Sequence, residues 1–186
     1  MSSKLLSTIV DFNPPRTISR GSVASFVDMA SLPVGERDIS EIQQKNFTGG
    51  GSRFRNGDTL LARITPCLEN GKTAKVSGLE EDENAFGSTE FIVLSAKDAN
   101  TDEDYVYYLA RHPDFRSFAI SRMEGTSGRQ RVSWQAVSEF EFEFPDATIR
   151  ATAGNILKNL DDKIALNRKL NETLEGMARA LFQSWF

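Results

Sequence analysis

The side chains best equipped for chemistry in this sequence are cations and amides gathered in two stretches. Between Gly49 and Lys75 stand Arg53, Arg55, Arg63, Lys72 and Lys75, against Asp58 and Glu69. Between Arg111 and Arg131 stand Arg111, Arg116, Arg122, Arg129 and Arg131, against Asp114 and Glu124. Ammonium and guanidinium groups bind phosphate oxygens, and the guanidinium fork adds paired, planar hydrogen bonds. Two such stretches could fold into one positive face; separately solvated surface charge is the plainer alternative. The net charge of −4 argues against a nucleic-acid partner. The acid, however, is concentrated elsewhere: at Glu80, Glu81, Asp82 and Glu83, at Asp102, Glu103 and Asp104, and at Glu139, Glu141, Glu143 and Asp146.

Catalytic patterns are incomplete. The single cysteine and single histidine exclude an internal disulfide and argue against a zinc site. Cys67 reads as a small buried apolar residue and His112, before Pro113, as a cap at a helix junction. Gly71-Lys72-Thr73 resembles the end of a phosphate-binding loop, but Pro66 stands where that pattern requires glycine. Asp58, Glu69 and Lys72 fall short of a metal-dependent nuclease core, because both Asn70 and Gly71 separate carboxylate from lysine. Asn13-Pro14-Pro15-Arg16 resembles the Asn-Pro-Pro-aromatic motif of amino-methyltransferases, yet Arg16 offers no ring to stack on a base, and the glycine-rich cofactor loop is missing. Glu139, Glu141 and Glu143 alternate with Phe140, Phe142 and Phe144, the pattern of a half-buried strand with a wet face; a paired-carboxylate acid/base site is the sharper alternative. No catalytic residue and no metal ligand is assigned.

Chain length of 186 residues leaves room for one ordinary domain plus an appendage. The first part, 1–145, mixes short strands and helices. Strands are expected over Ala24–Met29, Thr59–Ile64, Lys72–Val76 and Glu90–Leu94, with turns at Asn56-Gly57-Asp58 and Asn70-Gly71. Asp102 is expected to cap a helix through Tyr105 and Leu109, Pro113 to open a second helix reaching about Met123, and Ser133 to cap a short third around Trp134–Ser138. Gly125-Thr126-Ser127-Gly128-Arg129-Gln130-Arg131 reads as an exposed, basic, polar loop. From 146 to 186 the pattern becomes helical: Leu157, Leu160, Ile164, Asn167, Leu170, Leu174, Met177 and Leu181 recur at steps of three and four, a coiled-coil seam. Such a helix is expected to project and to cover its stripe with another helix; folding back onto the first part is the alternative. Gly154 and Gly176 each cost it about 1 kcal/mol relative to alanine. The apolar end, Trp185-Phe186, points to further packing. The fold expected is α+β: a mixed globular domain with a twisted, mostly antiparallel sheet, then one long C-terminal helix. No apolar run approaches the roughly 20 residues that span a bilayer, and the N-terminal apolar patches are too short for a signal-peptide core. A cytoplasmic place is expected, with no membrane contact.

Several segments, in order, resemble a known family. The stretch 57–74, Gly-Asp-Thr-Leu-Leu-Ala-Arg-Ile-Thr-Pro-Cys-Leu-Glu-Asn-Gly-Lys-Thr-Ala, looks like the central strand-and-turn segment of the DNA-specificity subunits of Type I restriction-modification systems. Gly87–Leu94 resembles the strand that follows it, and Gly125–Val132 the polar loop before the last strand. Leu160–Arg168, Asn171–Glu175 and Ala180–Phe186 are similar to that family's spacer helix. The resemblance implies a target-recognition domain that reads half of a split DNA site. It implies a helix that pairs with a second such helix, sets the gap and docks methyltransferase subunits, and through them the restriction subunit. The family's usual chain carries two recognition domains and two helices; this one carries one of each, which fits a homodimerising half-subunit or a fragment. S-adenosylmethionine and ATP would bind partner subunits, and no cofactor is expected here. An interaction protein pairing through the helix without touching DNA is the alternative from another class.

On that reading, double-stranded DNA meets a face built from the turn around Asn70 and the loop around Arg129. Arg129 and Arg131 suit guanine and Gln130 suits adenine. Thr126 and Ser127 with their amides suit phosphate oxygens. Lys72, Lys75 and Arg122 are further phosphate candidates, with Thr73 beside them on the same turn.

Overall fold

A computed structural model describes residues 3–126 and 128–185. Among these, ten strands and four α-helices follow one another, besides two short 3-10 turns at Leu6–Thr8 and Met29–Ser31: β1 Lys4–Leu5, β2 Val10–Phe12, β3 Val23–Val27, β4 Gln43–Asn46, β5 Ser52–Phe54, β6 Thr59–Ala62, β7 Thr73–Lys75, β8 Ala85–Gly87, β9 Phe91–Ala96, α1 Ala99–Arg111, α2 Pro113–Ser121, α3 Trp134–Ser138, β10 Glu141–Phe142 and α4 Ala147–Trp185. The expected α+β class is what is found. In place of one sheet there are two four-stranded sheets, β2-β9-β6-β7 and β4-β3-β8-β5, and a small β1–β10 ribbon. Every neighbouring pair is antiparallel except β3 with β8.

β6 and β9 lie at the centre, paired from Thr59↔Leu94 to Ala62↔Phe91. Successive side chains on a strand point to opposite faces. Leu61, Ile92 and Leu94 therefore enter one core, shared with Val106, Leu109 and Phe115 of α1 and α2. Leu60, Phe91 and Val93 enter a second core, against Val27, Phe54 and Ala85 of the other sheet. Burial on both faces explains the unbroken apolar run Leu60-Leu61-Ala62.

Local rules account for the helix starts, with one correction. Asp98, not Asp102, caps α1, accepting from the Asn100 amide at 3.1 Å. Asp102 is one turn further in and buried, 2% exposed, where it binds Arg150 of α4 (Nε–Oδ1 2.5 Å). His112 Nδ1 accepts from the Asp114 amide to open α2, which stops at Ser121, and Ser133 Oγ accepts from Ala136 to open α3. The phenylalanine-glutamate alternation yields only the two-residue β10 as strand. Its glutamates are exposed, while Phe140 stacks beside Phe142 and packs edge-on against Phe115. Cys67 is half-buried rather than enclosed.

α4 spans 39 residues, about 60 Å at 1.5 Å per residue. It does not leave the globule at once; its first half lies along α1. Gly154 is buried there, and a Cβ on it would meet the Tyr105 backbone nitrogen at 3.0 Å. Close approach of two helices explains this glycine, whereas Gly176 has open space around it. Polar ties continue the docking. Tyr108 donates to Asp161 at 2.8 Å, Arg37 pairs with Asp162 at 2.7 Å, and Arg168 pairs with Glu36 at 2.6 Å. Hydrogen bonds from Lys158 and Arg37 hold the Asp162 carboxyl below its ordinary value. Burial, then the bond to Asp161, pushes the Tyr108 hydroxyl up. From 163 to 185 every residue is exposed.

The stripe is not spent on this docking. Gly154, Asp161 and Arg168 mark the docked line at every seventh residue. Leu160, Asn167, Leu174 and Leu181 lie one residue earlier, about 100° round the helix. Leu157, Leu160, Ile164, Leu170, Leu174, Met177 and Leu181 are all 40–59% exposed. Trp185 is 79% exposed, and Phe186 lies outside the described residues. Among the described residues no helix is long and apolar enough to cross a membrane.

Docking by a buried ion pair makes a quantitative prediction. Arg150→Ala strands the Asp102 carboxylate without its cation, and breaking such a pair costs about 3–5 kcal/mol. Urea unfolding should show a lower midpoint; an unchanged midpoint would mean that α4 is held by its other contacts alone.

Candidate nucleic-acid interface

The strand that begins as β6 continues past Ala62 as an extended edge, Arg63–Thr65. Arg63 N donates to Glu90 O at 3.0 Å, and Val132 N donates to Arg63 O at 3.0 Å. Thr65 N donates to Gln130 O at 3.0 Å. The edge thus has the β9 approach on one side and the basic loop on the other. It then turns through Thr65-Pro66, a cis bond, into a compact turn. Asn70 N bonds to Pro66 O at 2.9 Å, and Lys72 N bonds to Cys67 O at 3.0 Å. Gly71 closes this turn at φ 76°, in the left-handed region that glycine adopts without steric cost. The turn grows out of the edge strand and the loop is bonded to it, so the structure brings together the two segments singled out in the sequence.

The loop is a closed hairpin. Glu124 and Arg131 exchange both backbone bonds, at 2.9 and 2.8 Å, and Arg129 N reaches Thr126 O at 3.0 Å inside it. Arg131 grips Glu90 with a forked contact, Nε–Oε1 2.9 Å and Nη2–Oε1 2.7 Å, and Nη1 also reaches the Arg129 carbonyl at 3.2 Å. The bond to Glu90 raises the Arg131 guanidinium above its ordinary value. Arg131 is thereby committed to holding the loop. Arg129 and Thr126 are exposed on the loop, and Arg129 makes no ion pair among the described residues. Gln130 is half-buried. Ser127 lies outside the described residues.

The expected phosphate contacts fare unevenly. Asn70 is exposed on its turn. Arg122 is exposed, its guanidinium 5.1 Å above the Phe118 ring. Thr73 is 2% exposed and Lys75 8%. Lys75 Nζ bonds to both Glu103 and Asp104 of α1. Lys72 is half-buried with Nζ on the Met29 carbonyl at 2.9 Å. Burial thus removes Thr73 and Lys75 from the surface expected for them, whereas Lys72 stays half-exposed with its ammonium already engaged. β7 is buried on both faces, so Lys75 is turned inward onto acids, while Lys72, just before the strand, reaches a carbonyl. Two further arginines of the basic stretches, not among the expected contacts, also lie here. Arg116 lies against the turn, its Nη1 2.8 Å from where a Cβ on Gly71 would stand. Arg63 lines a groove with Arg122, Glu124 and Arg131. Arg63 falls inside the strand expected over Thr59–Ile64, and only the structure, which ends β6 at Ala62, sets it on the groove.

Among the described residues no cluster of side chains is suited to a metal ion. Arg16, in the segment similar to a methyltransferase motif, is tied to buried Asp58 at 2.5 Å.

Comparison with known proteins gives this geometry a family. The family model described as Type I restriction modification DNA specificity domain matches residues 41–176. The chain is 30% identical over 151 residues to the Type I restriction enzyme HindI specificity subunit of Haemophilus influenzae, covering 80% of this chain and 32% of that one. It is 30% identical over 131 residues to the EcoAI specificity subunit of Escherichia coli, covering 68% and 22%. The chain thus spans a third or less of the curated relatives it matches. Among solved structures, one described as showing complex assembly and conformational transition of the type I R-M system superposes with a TM-score of 0.68 at 17% identity, over 91% of this chain and 44% of that one. The HsdS subunit from Thermoanaerobacter tengcongensis superposes at 0.63 and 19%, over 89% and 42%. These two likenesses concern the fold alone. Taken with the match over most of its length, they lead to one conclusion: this chain belongs to the Type I restriction modification DNA specificity family.

Proposed function

We propose that this chain is the non-catalytic, sequence-reading component of a Type I restriction-modification complex in the cytoplasm, and that its globular part reads one half of a gapped duplex site. The observation that carries this reading is the Glu124–Arg131 hairpin. It is pinned to a core strand and presents an exposed arginine with no ion pair among the described residues. Preorganised display matters because a side chain on a rigid loop spends little freedom on binding. Arg129 is suited to the O6/N7 edge of guanine in the major groove and Gln130 to adenine. Arg131 serves as the brace rather than the reader. Thr126 and its neighbouring amide are suited to phosphate, as are Asn70 and Arg122 at the margins.

α4 supplies the second half of the proposal. Its exposed stripe from Leu157 to Leu181 accepts a matching helix, from a second copy or from an equivalent segment, and Asn167 on the seam selects register. Two identical copies would place two readers about a twofold axis, and the target would be a gapped pseudo-palindrome. Methyltransferase subunits, which would carry S-adenosylmethionine, dock on the paired helices and bring the restriction subunit with them.

Two outcomes test these roles. Arg129→Ala should cost about 1–3 kcal/mol at one base pair of the target and leave other positions alone. Methylation-site mapping in cells carrying the system, with and without the variant, identifies that motif. Equal weakening on every sequence would make Arg129 a phosphate contact, and a motif that persists without the chain would leave an interaction protein that does not touch DNA. Leu160→Glu with Leu174→Glu should convert the dimer to monomer in sedimentation; an unchanged oligomeric state removes the pairing role.

A further inference from the structure

One groove in the molecule combines surplus positive charge with an unmet donor. It lies between the Arg63–Thr65 edge, the end of α2 and the hairpin loop, encloses about 400 Å³, and is lined by Arg63, Arg122, Glu124, Arg131, Ser133 and Ala136 among others. Arg63 Nε is shielded from solvent and has no hydrogen-bond partner. Buried donors in folded proteins almost always have partners, and an orphan on a charged group is the costliest kind. Glu90, whose backbone oxygen accepts from the Arg63 amide, has its carboxylate engaged by Arg131. Arg63 is also immobile at its root, because its amide and its carbonyl are both bonded, to Glu90 and Val132. Arg122, also on the groove lining, lies over Phe118 with no carboxylate partner among the described residues. Glu124 is the one acid on the lining, and it opposes these two uncommitted cations.

We propose that this groove seats a backbone phosphodiester of duplex DNA, with Arg63 as its fixed donor and Arg122 as a second, mobile one. The inference rests on the DNA-reading function proposed above and adds to it the contact that fixes register beside the base-reading loop. A phosphate fits the observations better than a base edge does. The groove offers a cluster of donors without matched acceptors, and phosphate oxygens present only acceptors. Glu124 limits the affinity of the seat, so that one contact is too weak to hold non-target DNA alone.

The test is binding of the assembled complex to its mapped target and to an unrelated duplex, over a range of salt. Arg63→Gln should weaken both by about tenfold, the loss expected for one hydrogen bond to a charged group. It should also reduce the slope of log affinity against log salt by about 1. Arg122→Gln should do the same more weakly. Glu124→Gln, an exposed and structurally harmless change, should tighten binding to both duplexes. Thermal unfolding checks that Arg63→Gln folds; if it does not, the Arg122 and Glu124 variants decide. Loss of affinity on the target alone would make Arg63 a base reader and overturn the proposal. Unchanged affinity and slope in all three variants would overturn it while leaving the DNA-reading function in place. Absence of any DNA binding by the unmodified complex would overturn both. Calorimetry with inorganic phosphate provides the remaining arm, since micromolar binding without DNA would assign the groove to a free anion.

Discussion

The pairing of β6 with β9 is the constraint on which the rest of the molecule depends. Thr59 to Ala62 and Phe91 to Leu94 form the seam at which two cores meet, one under the helices and one under the second sheet. A one-residue slip of this pair would exchange the two sets of side chains and ruin both cores. That strict register also fixes everything downstream, because the edge Arg63–Thr65 is the same strand carried three residues further. The basic loop, the proline turn and the arginine groove inherit their positions from it.

The acidic balance of the chain is less of an obstacle than it looked once the acids are located. Asp102, Asp58, Glu90, Asp104 and Asp162 face arginine or lysine inside the fold or at the helix joint. These pairs fasten elements together and project little field. Arg129, Arg122 and Arg63 have no such partner among the described residues, and Glu124 and Glu69 are the acids beside them on the groove and the turn. A net charge summed over the sequence therefore says little about the potential over one face.

Much of this was legible in the residues. The apolar runs found β6 and β9, Gly71 found its turn, Ser133 found α3, and the steps of three and four found α4. What escaped did so for physical reasons. Asp98 and Asp102 are both plausible caps one turn apart, and only the buried arginine opposite decides between them. Lys75 reads as a phosphate candidate because it stands in a basic stretch, and only the structure shows that β7 is buried on both faces. Two sheets could not be told from one, since the parallel contact of β3 with β8 joins segments distant in sequence. At the candidate interface, the loop and the turn could be nominated separately, but their shared anchor on Arg63 and Thr65 is a tertiary fact. The docking of α4 was hidden in Gly154, which reads as a weak point of a helix until α1 is laid against it.

The two lines on α4 carry a consequence of their own. The face gripped by α1 and the apolar face run along one continuous helix, so their relative bearing is set only by counting residues. One residue inserted beyond Arg168 would swing the outer apolar stripe by about 100° relative to the globule. Seven would return it to within about 20° while lengthening the arm by about 10 Å. The rod thus works as a protractor as well as a ruler, and changes in its length keep nearly the same bearing only when they approach whole helical turns, as seven or eleven residues do.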